Sequence, residues 1–371
     1  MTAPDRPRAG ADAAPPSTDE RVLEDLRRRV SAFRRVDLLP ERDRRLGVDP
    51  ALLERLLDEW EHRYDWRPFE HRVRALPWAL IDDAAVPLRV VDRPAASDAA
   101  PVVVLLHGWP DSVMRFEKVL PALRDVHVVI PALPGYPFAA PVRAASPASA
   151  ADIGEAVVAA MARLGHERYV VSAGDVGTDV AEAMAWSHPE HVAALHLTDL
   201  SHHHALVDPP TDLDADEAAY LQRVQRWHAE EGAYDHQQST RPNTLAIGLG
   251  DSPVGLLAWI VEKLTTWSDD RSPAFSSTDL LDWVTAYWVT GTIGTSFAPY
   301  AHRSQPGRAP SPVGFTLFPR DIVSAPRRFA DRFFDIRIWR TAAGGGHFDA
   351  WERPIDYADG IRAVVDATPR I

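Results

Sequence analysis

The sequence predicts an α/β fold: a mostly parallel, doubly wound sheet with an inserted helical lid and an N-terminal segment wrapped around it. Three observations predict it. Short apolar runs alternate with helical patterns over residues 86–197, the rhythm of a parallel sheet covered by helices on both faces. That rhythm stops over residues 202–306, which turn helical and rich in Trp, Tyr and Leu, and it resumes from Val313. Between a strand-like run at 168–171 and a helical run at 178–186 lies Ala173-Gly174-Asp175-Val176-Gly177. Small residues two positions either side of a central one suit a sharp strand-to-helix elbow, where bulky neighbours would clash.

Residues 1–18 are rich in Pro, Ala and charge and lack the apolar core of a signal peptide, so a disordered tail is expected. Residues 19–100 form the wrapping segment. Its helices are expected at 18–36, where Val22, Leu23, Leu26, Val30 and Phe33 recur at helical spacing, and at 49–64, with a strand at 86–91. The first part of the core, 101–201, has strands at 102–106, 126–130, 168–171 and 192–197, and helices at 114–123, 148–164 and 178–186. The lid, 202–306, has helical segments at 218–230 and 256–267. The second part of the core, 307–371, returns with strands at 313–318 and 335–339 and helical runs at 327–333 and 355–367. A ligand is expected between the lid and the carboxyl ends of the strands.

Composition narrows the chemistry. The formal charge of −13 argues against nucleic acid or an anionic membrane as a partner. With no cysteine, disulfides, thiolate catalysis and thiolate metal sites are excluded. No run approaches the roughly 18 apolar residues of a membrane span, and a cytoplasmic location is expected.

Asp175 is the candidate nucleophile. An unperturbed aspartate has a pKa of about 3.9 and is ionised at neutral pH, so it needs no base to attack carbon and leave an ester on the protein. His107-Gly108-Trp109-Pro110 follows the strand at 102–106, and the backbone amides of Trp109 and Val176 are the candidate oxyanion donors. His107 itself is read as structural. His347, in Gly344-Gly345-Gly346-His347-Phe348, is the candidate base for a hydrolytic water, since imidazole takes and returns protons near neutrality. Asp321, directly after the strand at 313–318, is the favoured acid to orient it. Its rival is Asp199, after the strand ending at 197. A strained ring ether opens to an alkoxide, which a phenol can protonate. The lid supplies Tyr234 and Tyr300, which from spacing alone read as packing residues.

These residues carry a resemblance. From about residue 19 to the C-terminus the chain resembles the microsomal-type epoxide hydrolases of the α/β-hydrolase superfamily. The matching pieces are Tyr64-Asp65-Trp66-Arg67, His107-Gly108-Trp109-Pro110, Gly174-Asp175-Val176-Gly177, Asp251-Ser252-Pro253-Val254-Gly255-Leu256, Tyr287-Trp288 with Thr290-Gly291-Thr292-Ile293, and Gly345-Gly346-His347-Phe348. The resemblance implies Asp175 as nucleophile, His347 as base, Asp321 as its acid, and no cofactor or metal. It also raises the two tyrosines to ring-oxygen donors. Tyr234 lies ahead of Gln238-Ser239-Thr240-Arg241-Pro242, and Tyr300 follows Thr290 to Ile293, as in that family.

Departures from the family pattern bear on the substrate. Val176 stands where Trp is common, Asp111 and Pro137 where Gly is usual, and Asp349 where a small residue is common. His202-His203-His204 is unusual and is read as solvated loop histidines, not a metal site, since adjacent residues do not share a face. Twelve tryptophans and an aromatic lid suggest an apolar or aromatic epoxide, with water as co-substrate; a homodimer remains open. Two other readings use the same features. A haloalkane dehalogenase shares the aspartate elbow but needs halide donors, often an indole after the nucleophile, which Val176 lacks. A non-catalytic ligand-binding protein of this fold would tolerate loss of a triad member, whereas every role has a candidate here.

Overall fold

The computed structural model describes residues 8–10, 12–39, 46–82, 84, 86–97, 99–141, 149–207, 209–272, 274–303 and 308–369. Its strands are β1 (Arg8–Ala9), β2 (Trp78–Ile81), β3 (Leu88–Arg93), β4 (Val102–Leu106), β5 (His127–Ala132), β6 (Tyr169–Ala173), β7 (Val192–Leu197), β8 (Pro312–Leu317) and β9 (Asp335–Thr341). They form one sheet in the order β1-β2-β3-β5-β4-β6-β7-β8-β9. The pairings from β5 through β4 to β9 are parallel, and those of β1, β2 and β3 up to β5 are antiparallel. This is the α/β-hydrolase fold.

The central strands are mostly apolar on both faces because both faces are covered. Val104 and Leu106 of β4 point into one core with Val171 and Ala173 of β6. Val103 and Leu105 point into the other with Val128, Ile130 and Val170. The two cores are the two faces of one pleat. Leaving β4, the chain pairs β5 on one side and later β6 on the other. Such a reversal opens a crevice at the carboxyl ends of the two strands, where the candidate oxyanion loop and the elbow emerge.

Two expectations are corrected. The helix expected at 114–123 is two short 3₁₀ turns, Val113–Phe116 and Leu120–Ala122. Pro121 lacks the amide and clashes with the turn before it, so a continuous helix cannot pass. The expected disordered tail is also laid down over its described residues. Arg8–Ala9 pairs with β2, Ala13 is fully buried, and the buried Arg89 donates from Nε to the Ala13 carbonyl at 2.8 Å. The Pro- and Ala-rich stretch has no helical or strand pattern of its own, but it supplies one of the carbonyls that a buried guanidinium requires. Residues 1–7 of that tail lie outside the described residues.

The lid carries helices Ala215–Glu231, Ala233–Thr240, Pro242–Asp251, Pro253–Thr266 and Ser277–Thr290. The wrapping segment straps it down. Helix Glu20–Ser31 packs on Pro253–Thr266, and Pro50–His62 packs on Ser277–Thr290. The Tyr64 hydroxyl donates to Asp282 at 2.7 Å, and Arg29 Nη1 pairs with Asp251 at 2.9 Å. Among the described residues no single helix is long and apolar enough to cross a membrane.

Glu70 ties the leading segment to this strap. It accepts from the Thr18 amide at 2.5 Å, from Ser17 Oγ at 3.2 Å and from Arg67 Nη1 at 2.8 Å. Burial opposes its charge, but these donors prevail and hold its carboxyl down at about 2. A depressed carboxyl contributes stability above its unfolded pKa and loses it as pH falls through the folded one. Glu70→Gln is therefore expected to lower unfolding stability by about 2 kcal/mol at pH 7. In urea titrations the gap to wild type should shrink as pH drops below about 4.5.

Candidate active site

Asp175 sits between β6 and helix Val176–Ser187 with φ 57° and ψ −135°, a left-handed region rare for a residue with a side chain. Its neighbours are small because the turn is crowded. A Cβ on Gly177 would lie 2.6 Å from the Leu106 carbonyl oxygen, and one on Gly174 would lie 2.6 Å from Thr198 Oγ1. A Cβ on Gly108 would overlap the Asp175 carboxylate itself. Asp199 holds the elbow from below. Its Oδ2 accepts the Asp175 amide at 2.6 Å, and its Oδ1 accepts the Thr178 hydroxyl. Burial, and then the charge of Asp321, raise the Asp199 carboxyl far above the usual range.

The carboxylate of Asp175 meets two loops. From the end of β4, the Trp109 amide donates to Oδ1 at 2.7 Å. The Val176 amide, the other expected donor, heads the helix among the N–H groups that a first turn leaves unpaired, but it is not bonded to this carboxylate. From the loop after β9, His347 Nε2 lies 3.3 Å from Oδ2. The approach is too poorly aligned for a hydrogen bond, so Nε2 is buried without a partner. On the far side of the ring, Nδ1 is 2.9 Å from Asp321 Oδ1. Of the two rival acids, Asp321 therefore engages the imidazole and Asp199 braces the elbow. Burial opposes charge on His347, but the carboxylates of Asp175 and Asp321 outweigh it and raise its pKa well above the ordinary value. Burial likewise works against ionised Asp321, and the bond to His347 overcomes it and lowers its carboxyl.

Both lid tyrosines reach the site. Tyr234 stacks on Trp109, ring centroids 5.4 Å apart at 9°, and Tyr300 meets the same indole edge-on at 6.1 Å. The two phenol rings lie 6.1 Å apart. Burial first, then the negative charge of Asp175, push both hydroxyls well above their usual pKa, so both stay protonated donors. The cavity between lid and sheet, ≈150 Å³, is lined by Asp175, Tyr234, Tyr300, Asp321 and His347 together.

Three donor groups converge within 4.8 Å at two places among the described residues, Asp199-Asp321-His347 and Asp92-His127-His166. In the first, the carboxylates are already committed to His347 and to the elbow. In the second, His127 Nε2 lies 2.6 Å from Asp92, and His127 opens β5, at the end of the sheet away from the cavity.

Comparison with known proteins bears on this arrangement. Residues 13–116 match the family model of the epoxide hydrolase N terminus, and residues 101–242 that of the alpha/beta hydrolase fold. A Stigmatella aurantiaca protein named among the epoxide hydrolases is 33% identical over 92% of this chain and 81% of its own length. The chain belongs to the epoxide hydrolases. Epoxide hydrolase 1 of Sus scrofa is 27% identical over 93% of the chain and 86% of its own length. The Aspergillus niger epoxide hydrolase structure superposes with a TM-score of 0.86 at 28% identity, covering 96% and 98% of the two chains.

Three features of this epoxide hydrolase lie beyond the sequence reading. The first is the lining of the cavity. Trp227 is the one tryptophan among the described residues that lines it, while Asp179, Ser201, His202, His203, Asp235 and Arg303 do too. Most of the tryptophans that suggested an apolar ligand pack the core. The second corrects the histidine run. It enters the short helix His203–Leu206. His202 and His203 line the cavity, and His204 Nε2 is 2.8 Å from Glu182 Oε2. Burial pushes His202 down to about 4, so it is neutral at physiological pH, and it is a half-buried wall of the cavity rather than a free loop side chain.

The third is a buried clamp. Arg115 Nη1 is 2.6 Å from Asp111 Oδ2, and its Nη2 is 2.8 Å from Asp349 Oδ1 and donates to the His347 carbonyl at 3.0 Å. Asp111 Oδ1 in turn accepts the Gly108 amide at 2.9 Å. The two acids that depart from the family pattern thus meet at one guanidinium, which joins the Trp109 loop to the His347 loop. All three side chains are nearly inaccessible, so removing the cation leaves two buried acids unpaired. Arg115→Met is expected to destabilise the protein by about 4 kcal/mol, whereas apolar replacement of all three should recover most of that loss. Chemical denaturation of the single and triple variants measures it.

Proposed function

We propose that the enzyme opens an epoxide to a vicinal diol through an ester on Asp175, released by water that His347 activates. The observation that carries this reading is the unpartnered His347 Nε2, buried 3.3 Å from Asp175 Oδ2 while Nδ1 is engaged by Asp321. An imidazole so held is oriented to take a proton from a water lying between it and the carboxyl carbon.

In the first half-reaction Oδ2, which carries no backbone donor, attacks a ring carbon. The carbon–oxygen bond breaks, its electron pair passes to the ring oxygen, and a phenol of Tyr234 or Tyr300 supplies the proton. Oδ1 becomes the ester carbonyl oxygen, still in the grip of the Trp109 amide. In the second half, water gives a proton to Nε2 and its oxygen bonds to the carboxyl carbon. The oxyanion on Oδ1 is held by Trp109, with Val176 as the second donor available at the helix start. Collapse expels the diol oxygen, which takes a proton from the imidazolium. The water's second proton, left on the Asp175 carboxyl, passes to the tyrosinate and restores both carboxylate and phenol.

Ester formation also retunes the base. In the resting site two carboxylates favour the protonated imidazole. Alkylation of Asp175 removes one of these charges, so His347 becomes easier to deprotonate when a base is required.

His347→Gln is expected to form the ester but not release it, with turnover lowered about 10³-fold. Mass spectrometry should then find the peptide containing Asp175 heavier by the mass of one epoxide, and Asp175→Asn should show no adduct. In a single turnover in ¹⁸O-water the label should enter the Asp175 carboxylate first. Label in the diol alone overturns the scheme. Tyr234→Phe and Tyr300→Phe should each slow adduct formation, by about 10²-fold, without stopping ester hydrolysis.

A further inference from the structure

Asp179 lies in the first turn of helix Val176–Ser187, four residues after Asp175, which precedes that helix, and both side chains line the cavity. The other acids there are committed. Asp321 holds His347, Asp199 holds the elbow, and Asp235 pairs with Arg303. Behind the wall, Glu182 is taken by His204. The groups facing Asp179 are the Ser201 hydroxyl, the carboxylates of Glu182 and Asp175, and the already engaged His204. Among the described residues it has no salt-bridge partner of its own. Burial chiefly, with Glu182 and Asp175 adding and Ser201 and His204 opposing, lifts its carboxyl to about 7.

We propose that Asp179 forms an acidic subsite that selects epoxides carrying a hydrogen-bond donor, an ammonium or a hydroxyl group, away from the attacked carbon. The subsite rests on the reaction proposed above, since it orients the same substrate in the same cavity. An apolar epoxide would seal this carboxyl away from water with the Ser201 hydroxyl as its donor and its remaining acceptor capacity unmet, at a cost in desolvation. A ligand N–H or O–H satisfies it, and an ammonium also offsets the excess of carboxylates around it. Sites built around a buried polar group discriminate strongly against ligands that lack its partner.

The test uses three terminal epoxides of equal chain length, ending in a dimethylammonium, a hydroxyl or an isopropyl group. Their kcat/KM values are measured on the full-length enzyme at pH 8, and again on Asp179→Leu and Asp179→Asn. Wild type should prefer one or both donor-bearing epoxides over the isopropyl compound at least tenfold, and Asp179→Leu should abolish or invert that order. The nearly isosteric Asp179→Asn, which serves also if the leucine variant does not fold, should lose an ammonium preference and keep a hydroxyl one. An advantage for the ammonium or for the hydroxyl compound identifies which donor the subsite takes. Rates within twofold across all three in wild type, or a preference that neither variant changes, overturn the subsite. Diol formation from none of the three would instead sink the proposed reaction.

Discussion

One backbone conformation governs this site. Asp175 is held with φ positive between a buried strand and a helix, at a cost of about 1–3 kcal/mol for a residue with a side chain. The strain persists because the surroundings leave no alternative. The Asp175 amide is fixed on Asp199, and the chain passes so close to β4 that Gly177 and Gly108 leave no room for a side chain. The gain is position. The carboxylate stands above the sheet where the β4 and β9 loops both reach it, with the β8 loop's Asp321 behind His347.

Charge is distributed unevenly around that carboxylate, and the distribution is specific. A cationic imidazole is favoured between two acids, while two phenols stay protonated under the field of the same acid. An imidazole that gains a proton and phenols that hold theirs in the resting site are thus set apart by burial and by which neighbours they face. The N-terminal strap belongs to the same account. By packing on the lid helices it fixes the lid, which carries Tyr234 and Tyr300, relative to an Asp175 rooted in the sheet.

Much of this was legible in the sequence where the signal was local. The strand at 102–106 is an unbroken apolar run and that at 192–197 is broken only by His196, and both form with those bounds. The elbow, the glycines before His347 and the acid after β8 each stand within a few residues of a strand end, which made them readable one at a time. Relations across the chain were not. Arg115 meets Asp349 over more than 230 residues, and no spacing rule connects them; each acid was visible as an oddity, their common partner was not. The Asp199 brace was hidden for the same reason, because a loop aspartate looks the same whether it orients a histidine or holds an amide. The leading segment offered no periodicity to read, since its order comes from what it covers.

The clamp at Arg115 has a consequence for how this protein can be related to others by descent. Asp111, Arg115 and Asp349 come from two distant loops, yet their charges are meaningful only together. Recombination that exchanged one loop with a relative built differently would strand an ion in the interior. The three positions should therefore travel through a lineage as one inherited character, and chimeras should survive only when their crossover points keep both loops from the same parent.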